Sequence, residues 1–447
     1  MKLAYTLKQI ANITNGTLVS AHQDFLVTSL VTDSRLVKEK DAFIALQGKT
    51  QDAHRFIPEV LTKKPSLIIA SKNYPVPTHT DTAFILVEDT LTALQTLAKY
   101  HRLHHPLKVV AITGSNGKST TKQMVCSICE VQGKTIFTKG NLNNQFGVPF
   151  SLLEIDNTHQ FGVFELGASH VGDIAETATL VMPDVAILTN VSAAHLEFFH
   201  DLETVYKTKT ELLSYINTGG TLVFNQDDAY LSRLKTSYNG KSISFGFKQG
   251  ADVQIADTEK FSFIYQGKTY TFDLKLERHN KLNAAAAVSA ALALGITMNT
   301  IEKGLTNFTP MPMRMERVLK GNTQFILDCY NANPASMKNA LEILGKEPQK
   351  PRIAVLGDMG ELGETSKHFH EEIAHQLTDN SIEYAFLAGT EMKYAYEKLA
   401  NSPLIKVYYG QTPSAWLGDL RSLVKNGGTC LLKASRFMNF ENIFKEI

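Results

Sequence analysis

The stretch from Val109 to Thr121 constrains the fold of this chain more than any other part of its sequence. An apolar run typical of a β-strand leads into a glycine-punctuated turn, and Lys118-Ser119-Thr120-Thr121 then begin a helix. Backbone N–H groups of such a turn converge on phosphate oxygens, and the helix N-terminus adds partial positive charge. Lys118 adds a full positive charge, and the hydroxyl of Ser119 is suited to Mg²⁺. The stretch predicts an α/β unit that binds ATP.

The loop is a short variant of the common phosphate-binding pattern, because Ile112 stands where that pattern has its first glycine. A plain glycine turn between a strand and a helix is the alternative interpretation. A turn alone requires neither the lysine nor the paired hydroxyls. The residues assigned to the nucleotide site are therefore Gly114, Ser115, Asn116, Gly117, Lys118, Ser119 and Thr120.

Length and composition restrict the class of protein. At ~100–200 residues per domain, 447 residues are too many for one core, and we expect three domains. The 45 Lys and Arg residues balance 44 Asp and Glu residues, so there is no basic field for nucleic acid. No apolar run reaches the ~18 residues that span a bilayer, which predicts no membrane insertion and a cytoplasmic location.

Strand and helix patterns alternate regularly from residue 107 onwards. Helices between strands predict a parallel sheet. The predicted central elements are strands at 109–113, 134–138, 161–166 and 184–190, a helix from Lys118 to about Gln132, hairpins over 241–276 with a turn at Gly267-Lys268, and an alanine-rich helix at 282–294. A second α/β unit follows the Met/Pro-rich turn at 309–314, with strands at 324–328, 352–357, 384–388, 405–409 and 429–433. The predicted domains are 1–105, 106–315 and 316–447.

Two clusters resemble metal or redox motifs but are better explained as structure. Cys126 and Cys129 lie within the predicted helix without a second cysteine pair, which favours small core-facing residues. His101, His104 and His105 have no carboxylate or cysteine nearby in sequence, which favours a solvated helix end.

Polar residues follow the ends of several predicted strands, where open parallel sheets bind their ligands. Glu165 follows one strand and His195 the next, and either alone would be a solvated or structural residue. Beside a phosphate loop, both are candidates for metal or phosphate binding. Lys207 and Lys209 lie on a predicted helix shortly after His195, and charge alone predicts a solvated face that selects neither lysine.

Four segments together resemble the Mur ligases, the ATP-dependent amide ligases of bacterial cell-wall precursor synthesis. The segments are 139–149, 165–170, 328–334 and 356–363, and the resemblance covers essentially the whole chain. It implies a three-domain α/β fold with a small α/β N-terminal domain for a uridine nucleotide, a central P-loop-type parallel sheet and a Rossmann-like C-terminal domain. It also implies ATP and Mg²⁺ as cofactors.

The motif set implies the member of this family that joins D-alanyl-D-alanine to UDP-N-acetylmuramoyl-tripeptide. The ligase that adds the third amino acid would carry an Asp-Asn-Pro-Arg-like motif in its last domain, and this sequence has none. The substrates would be those two molecules, and we expect a monomer. Asp33, Ser34 and Arg35 would contact the uridine diphosphate end, and Asn144 and Ser169 the muramoyl peptide.

The resemblance assigns the remaining site residues around ATP. Lys118 and Arg314 would bind its phosphates, Asn280 its adenine, and Asp328, Tyr330 and Asn331 its ribose or base. Ser119, Glu165 and His195 would coordinate Mg²⁺. Lys209 matches a lysine that becomes carbamylated, which would turn a cation into an oxygen ligand for a second Mg²⁺. The implied catalytic set is Lys118, Glu165, His195, Lys209 and Arg314.

Two other functions stay open on the sequence alone. A nucleotide-gated binding protein needs only the phosphate loop, although it would need fewer charged groups than this chain carries. Another amide ligase, with a different amine acceptor, would share the ATP site. Because Arg314 and Asp328 flank the second predicted boundary, we also expect the C-terminal domain to rotate about a hinge at 310–320.

Overall fold

The computed structural model describes residues 1–19, 23–48 and 51–447, and it contains three sheets with packed helices. The sheets span residues 2–87, 108–275 and 316–433. With the helices that pack on them, we call them the first, central and third units. The predicted α/β class is confirmed, whereas the boundaries 1–105, 106–315 and 316–447 fall between the sheets and stay predictions. Within the described ranges, no helix is long and apolar enough to cross a membrane.

The first unit is a six-stranded sheet in the order β1-β3-β4-β5-β6-β2. Strands β3 to β6 are parallel, and β1 and β2 pair antiparallel at the edges. Its elements are β1 (Lys2–Thr6), α1 (Leu7–Thr14), β2 (Thr17–Val19), β3 (Leu26–Val31), β4 (Ala42–Ile44), α2 (Ile57–Thr62), β5 (Leu67–Ser71), β6 (Ala83–Val87) and α3 (Thr90–Leu103), with 3-10 helices at Ser34–Leu36 and Ala53–Phe56.

Helix α3 joins the first unit to the central one, and its end corrects one expectation. His104 is exposed as predicted, but His101 is only 6% exposed. Its ring nitrogens contact the hydroxyl of Tyr5 at 2.9 Å and the carbonyl of Ile155 at 2.8 Å, and burial lowers its pKa. The prediction of a solvated helix end is therefore wrong for His101, because the helix is buried between two units.

The central unit has nine strands in the order β15-β14-β13-β12-β11-β10-β7-β9-β8. Helices cover both faces, so its inner strands are continuous apolar runs. Its elements are β7 (Lys108–Thr113), α4 (Lys118–Gln132), β8 (Thr135–Phe137), α5 (Gly147–Leu152), β9 (Phe161–Glu165), α6 (Asp173–Val181), β10 (Val185–Leu188), α7 (Leu196–Phe199), α8 (Leu202–Thr210), β11 (Thr221–Asn225), α9 (Leu234–Ser237), β12 (Lys241–Gly246), β13 (Val253–Ala256), β14 (Lys260–Tyr265), β15 (Lys268–Lys275), α10 (Arg278–Ala293) and α11 (Met298–Thr306), with 3-10 helices at Glu211–Tyr215 and Leu231–Arg233.

The strand predictions for 109–190 are confirmed, but the hairpins over 241–276 are only partly right. β14 and β15 form the predicted hairpin around Gly267, and β13 pairs antiparallel with β14. β12 instead runs parallel to β11, because a helical crossover through α9 separates the two strands. Cys126 and Cys129 are buried in the core as predicted.

The third unit is a six-stranded sheet in the order β16-β17-β21-β18-β19-β20. Its strands agree with the predictions within one residue at each end, except that β16 was not predicted. Strand β16 has mixed polar and apolar residues that are largely exposed, including Leu319 at 69%, and this pattern is typical of an edge strand. The elements are β16 (Glu316–Lys320), β17 (Thr323–Leu327), α12 (Pro334–Lys346), β18 (Arg352–Gly357), α13 (Ser366–Asp379), β19 (Tyr384–Ala388), α14 (Met392–Leu399), β20 (Lys406–Gly410), α15 (Leu417–Val424), β21 (Gly428–Lys433) and α16 (Glu441–Glu446), with 3-10 helices at Gly363–Thr365, Pro413–Ala415 and Arg436–Met438.

Candidate functional site

The phosphate loop connects β7 to α4 and is closely packed. Gly114 and Gly117 have φ values of +147° and +79°, which L side chains rarely adopt. A Cβ at Gly114 would overlap the hydroxyl of Thr189, and one at Gly117 would overlap the amide of Asn283. Both positions therefore require glycine, and α4 begins at Lys118 as the sequence predicts.

Sheet register brings the neighbouring strand ends to this loop. β7 lies between β9 and β10, with Ile112 opposite Glu165 and Thr113 opposite Leu188. The residues after β10 then hold the loop directly. The side-chain oxygen of Asn190 accepts the backbone N–H of Asn116 at 2.9 Å, and the Thr189 hydroxyl donates to the Asn116 carbonyl at 2.6 Å.

Lys118 lies against its own loop. Its ammonium donates to the carbonyls of Gly114 at 2.7 Å and Ser115 at 3.1 Å. Burial lowers the pKa of Lys118, Glu165 opposes this effect, and the charge of Arg314 adds to it. A cation held this close to the backbone N–H groups of the loop is suited to bind phosphate oxygens.

Glu165 ends β9 and is 3% exposed, so the interpretation as a solvated strand-edge residue is excluded. Its Oε1 accepts a hydrogen bond from Asn143 at 2.9 Å. Its Oε2 is buried without a hydrogen-bond partner in the described ranges, and the ammonium of Lys122 lies 3.5 Å away. Burial favours the neutral acid, but Lys122 and Lys118 outweigh it, so the pKa of Glu165 is lowered.

Lys122 was not predicted as part of the site. It is 1% exposed and also donates to the carbonyl of Thr138 at 2.7 Å. The sequence does contain a signal, because Lys122 lies one helical turn after Lys118 among the buried positions of α4. A lysine within such a helix face needs a partner, and here the partner is Glu165.

The structure distinguishes the two lysines of α8. Lys207 is exposed, whereas Lys209 is 2% exposed. Burial, and secondarily the charge of Lys118, lowers the pKa of Lys209 to about 7. The solvated-face interpretation is therefore wrong for Lys209, whose amine is substantially neutral near pH 7.

The third unit and the segment that leads into it contribute residues to the same loop. Arg314 donates to the hydroxyl of Ser119 at 2.9 Å, and its guanidinium lies 4.1 Å from the ring centroid of Tyr330. The amide of Asn333, which was not predicted, donates to the side chain of Asn116 at 2.8 Å. Residues separated by about two hundred positions therefore meet at the phosphate loop.

Other predicted nucleotide-site residues lie close to these contacts. Asp328 forms an ion pair of 2.5 Å with Lys433 and accepts the backbone N–H of Met315. Lys433 also donates to the carbonyl of Asn331 at 3.1 Å. On the central unit, the side chain of Asn280 accepts a hydrogen bond from Asn283. The side chain of Asn283 also accepts a hydrogen bond from the hydroxyl of Thr121, which follows Thr120 in the first turn of α4.

His195 lies just before α7, and its Nδ1 is 2.5 Å from Oε2 of Glu361 on the third unit. Neither ring nitrogen meets the geometry of a hydrogen bond within the described ranges, so Nδ1 meets Glu361 as a close polar contact. His195 is thus neither a solvated residue nor a core residue. It lies at the contact between the central and third units.

The residues predicted to bind the substrate make local hydrogen bonds and ion pairs. Asp33 caps the 3-10 helix at Ser34–Leu36 and pairs with Arg35 at 2.7 Å on the first unit. On the central unit, Asn144 accepts the backbone N–H groups of Phe146 and Gly147. The backbone N–H of Ser169 donates to Asp173 at 2.8 Å. Across the described ranges, no hydrogen bond or ion pair joins Asp33, Ser34 or Arg35 to the phosphate loop.

Comparison with known proteins identifies two family models in the chain. Residues 112–291 match the Mur ligase middle domain, and residues 313–436 match the glutamate ligase domain of Mur ligases. A UDP-N-acetylmuramoyl-tripeptide–D-alanyl-D-alanine ligase from Buchnera aphidicola is 34% identical over 457 aligned residues, covering 100% of this chain and 98% of the relative. The ligase of the same name from Bacillus subtilis is 31% identical, with 99% and 98% covered.

Solved structures give the same result. A crystal structure of MurF from Acinetobacter baumannii superimposes with a TM-score of 0.92 at 32% identity, covering 100% of this chain and 99% of that one. MurF from Thermotoga maritima in complex with ADP superimposes with a TM-score of 0.84 at 31% identity, covering 93% and 96%.

Proposed function

Because this chain belongs to the Mur ligase family, we propose that it is an ATP-dependent ligase that joins D-alanyl-D-alanine to UDP-N-acetylmuramoyl-tripeptide in peptidoglycan precursor synthesis. Full-length relatives carry this reaction in their names, and the Thermotoga maritima relative was solved with ADP. The observation that carries the proposal is the convergence of half-buried Lys118, buried Glu165 and buried Lys209 with Arg314 at one edge of the central sheet.

The reaction has two steps. An oxygen of the tripeptide's terminal carboxylate attacks the γ-phosphorus of ATP, the bond from phosphorus to the ADP oxygen breaks, and an acyl phosphate forms. The free amine of D-alanyl-D-alanine then attacks the acyl carbon. The resulting tetrahedral intermediate expels phosphate, and the amine loses a proton to leave the amide. ATP is needed because a carboxylate is too poor an electrophile for an amine.

Charge stabilisation is the main contribution of the side chains to the first step. Lys118 contacts the carbonyl of Gly114 and Arg314 contacts the hydroxyl of Ser119, and the β- and γ-phosphates of a nucleotide would lie at this loop. Both cations would stabilise charge that develops on the transferring group. Asn280, Asp328, Tyr330 and Asn331 would bind the adenine and ribose.

The loop is also suited to Mg²⁺, which would neutralise phosphate charge when bound. Buried Oε2 of Glu165 has no hydrogen-bond partner in the described ranges, and the Ser119 hydroxyl lies at the start of α4. No cluster of three or more His, Cys, Asp or Glu side chains suited to a metal occurs among the described residues. Mg²⁺ needs no such cluster, since phosphates and waters fill most of its positions. Ser119, Glu165 and His195 would hold it.

Carbamylation of Lys209 is part of the proposal. The neutral amine is the form that adds CO₂, and a pKa of about 7 makes that form abundant near neutral pH. The product is a carbamate whose oxygens would serve a second Mg²⁺. Asp33, Ser34 and Arg35 would bind the uridine diphosphate end, and Asn144 and Ser169 the muramoyl peptide. A cytoplasmic location and a monomeric state stay predictions.

The decisive experiment measures ATP-dependent phosphate release by the purified protein with UDP-N-acetylmuramoyl-tripeptide and Mg²⁺, with and without D-alanyl-D-alanine. Product mass is read in parallel. We expect release that requires the dipeptide and a product that contains it. Release with another amine in a panel of acceptors would assign a different ligase, and ATP binding without turnover would favour a non-catalytic nucleotide-binding protein.

A further inference from the structure

The loop between β18 and the 3-10 helix at Gly363–Thr365 reaches from the third unit to the central one. It carries Glu361, whose Oε2 lies 2.5 Å from Nδ1 of His195. The contact pairs a carboxylate with an imidazole across the two units.

This loop is anchored firmly on its own unit. Asp358 accepts the backbone N–H groups of Thr390, Glu391 and Met392 at the start of α14. The backbone N–H of Met359 donates to His370 at 3.0 Å, and that of Gly360 donates to Ser435 at 2.8 Å.

Two apolar residues close to Glu361 in the sequence anchor the loop further. Met359 and Leu362 are each 2% exposed in the third unit's core. Glu361 itself is left half-exposed between them. The third unit therefore holds the backbone at Glu361 in place.

The backbone on both sides of the contact is unusual. Glu361 has a φ of +61° and His195 a φ of +56°, a conformation that costs energy for residues other than glycine. The carbonyl of Glu361 accepts the backbone N–H of Glu197 at 3.1 Å. A Cβ on Gly363 would lie 3.1 Å from Cα of Glu197, so the two chains approach closely here. Strain held on both sides of one contact points to a role for that contact.

We propose that Glu361 is a positioning residue for His195 and acts across the contact between the central and third units. The negative charge of a carboxylate 2.5 Å from Nδ1 favours the proton on that nitrogen, which leaves Nε2 as the ring nitrogen for a ligand. Histidines that bind metals are commonly held in this way by a second group. Here that group belongs to a different unit from the histidine, so the site on the central unit acquires its full geometry only when the third unit is docked.

The proposal rests on the proposed role of His195 in holding Mg²⁺, and two measurements separate the two ideas. The first is NMR of the metal-free protein labelled with ¹⁵N and ¹³C at histidine, with the His195 signal assigned by its loss in His195→Asn. We expect the Nδ1-protonated tautomer in the parent protein and a shifted tautomer equilibrium in Glu361→Gln. Glu364→Gln is the matched control, because Glu364 is exposed in the adjacent 3-10 helix and its side chain makes no hydrogen bond or ion pair within the described ranges.

The second measurement is the affinity for Mn²⁺, a paramagnetic substitute for Mg²⁺, in the presence of a non-hydrolysable ATP analogue. We expect Glu361→Gln and His195→Asn each to weaken binding by about 10-fold to 100-fold, and Glu364→Gln to leave it unchanged. Glu361→Asp keeps the charge but has a shorter side chain. Its Mn²⁺ affinity should lie between that of Glu361→Gln and that of the parent protein. Thermal unfolding of each variant checks that the fold is intact.

The outcomes are distinct. If His195→Asn weakens Mn²⁺ binding but Glu361→Gln changes neither the affinity nor the His195 tautomer, Glu361 does not position His195 and the inference is overturned. If neither variant weakens Mn²⁺ binding, His195 is not a ligand, and that part of the proposed function is overturned together with the inference. Equal losses in both variants, with a changed tautomer in Glu361→Gln, support it.

Discussion

The central unit meets its two neighbours in different ways. Helix α3 packs against α1 of the first unit and against α5 and α6 of the central unit, and one apolar core runs through both. The third unit has apolar clusters of its own, and of its residues Phe369 packs against the shared core. Asn333, and Arg314 just before β16, reach the phosphate loop through polar side chains. We infer that the first two units form one body that carries the chemistry, while the third docks onto it.

The largest expected effect lies inside the first body. Lys209→Ala should lower kcat/KM about 10³-fold, or ~4 kcal/mol, because it removes a buried group from the reacting face. A short carboxylic acid should restore part of the activity if a carbamate oxygen is what is missing. Lys207→Ala, on the exposed side of the same helix, should stay within about twofold. Full activity in Lys209→Ala would exclude this residue from the site.

The shared core is tested by its packing. Leu97 in α3 is fully buried, and Leu97→Ala should lower the free energy of unfolding by about 3 kcal/mol. The loss should appear in a single urea transition that includes both units. Leu103, on the same helix and 54% exposed, provides the control, since Leu103→Ala should change stability by about 0.5 kcal/mol or less. Separate melting of the first unit in Leu97→Ala would show that the two units are not one body.

Across the polar contact, a large effect on rate should accompany a small effect on stability. Arg314→Ala should lower kcat/KM about 10²-fold, or ~2.7 kcal/mol, by removing one charge from the transferring phosphoryl group. Arg317 is the matched control, because it pairs with Glu347 at 2.7 Å and with Glu277 at 3.3 Å, away from the loop. Arg317→Ala should cost about threefold at most. Equal losses in the two variants would mean that docking, and not phosphate binding, is what Arg314 provides.

The pH dependence sharpens the same comparison. The neutral amine of Lys209 adds CO₂, and its pKa of about 7 means that this form grows as pH rises through neutrality. At a fixed concentration of dissolved CO₂, kcat should therefore rise at least about tenfold between about pH 6 and 8. Lys209→Ala rescued by a carboxylic acid should not show this rise of kcat with pH. A profile that is identical in the two proteins would argue against carbamylation.

We expect the smallest effect from loss of the contact between Asn333 and Asn116. Asn333 caps α12 by accepting the backbone N–H of Ser336, and its amide donates to Asn116. Asn333→Ser keeps a capping hydroxyl and loses only the contact between units. We expect the KM for ATP to rise about threefold, with the unfolding transition unchanged. Solution scattering with nucleotide and substrate should show less domain closure in this variant than in the parent protein. If the parent protein gives identical curves with and without these ligands, that would count against a hinge at 310–320.

The sequence predicted the fold and the phosphate loop because both depend on local patterns. An apolar run, two glycines and a helix start place Lys118 without reference to the rest of the chain. The parallel strand order then places Glu165 beside it, since strand ends meet at one edge of the sheet. These are the parts of the site that periodicity and turn chemistry determine.

What the sequence could not predict depends on burial and on contacts between units. Lys207 and Lys209 differ only in which side of α8 they occupy, and charge does not reveal that side. Lys122 required a partner known only once β9 lies beside α4. Glu361 is a lone acid between Gly360 and Gly363, a pattern that indicates a special backbone but not the histidine it meets 166 positions earlier.

The position of β21 has a consequence for synthesis on the ribosome. This strand is the third of six in its sheet, inserted between β17 and β18, although it follows all the others in the chain. The middle of the third sheet therefore stays open until residues 428–433 emerge from the exit tunnel. The first and central units contain all of their own strands long before that point. A nascent chain thus carries a completed phosphate loop for the time it takes to translate the third unit, with no docked partner to cover it.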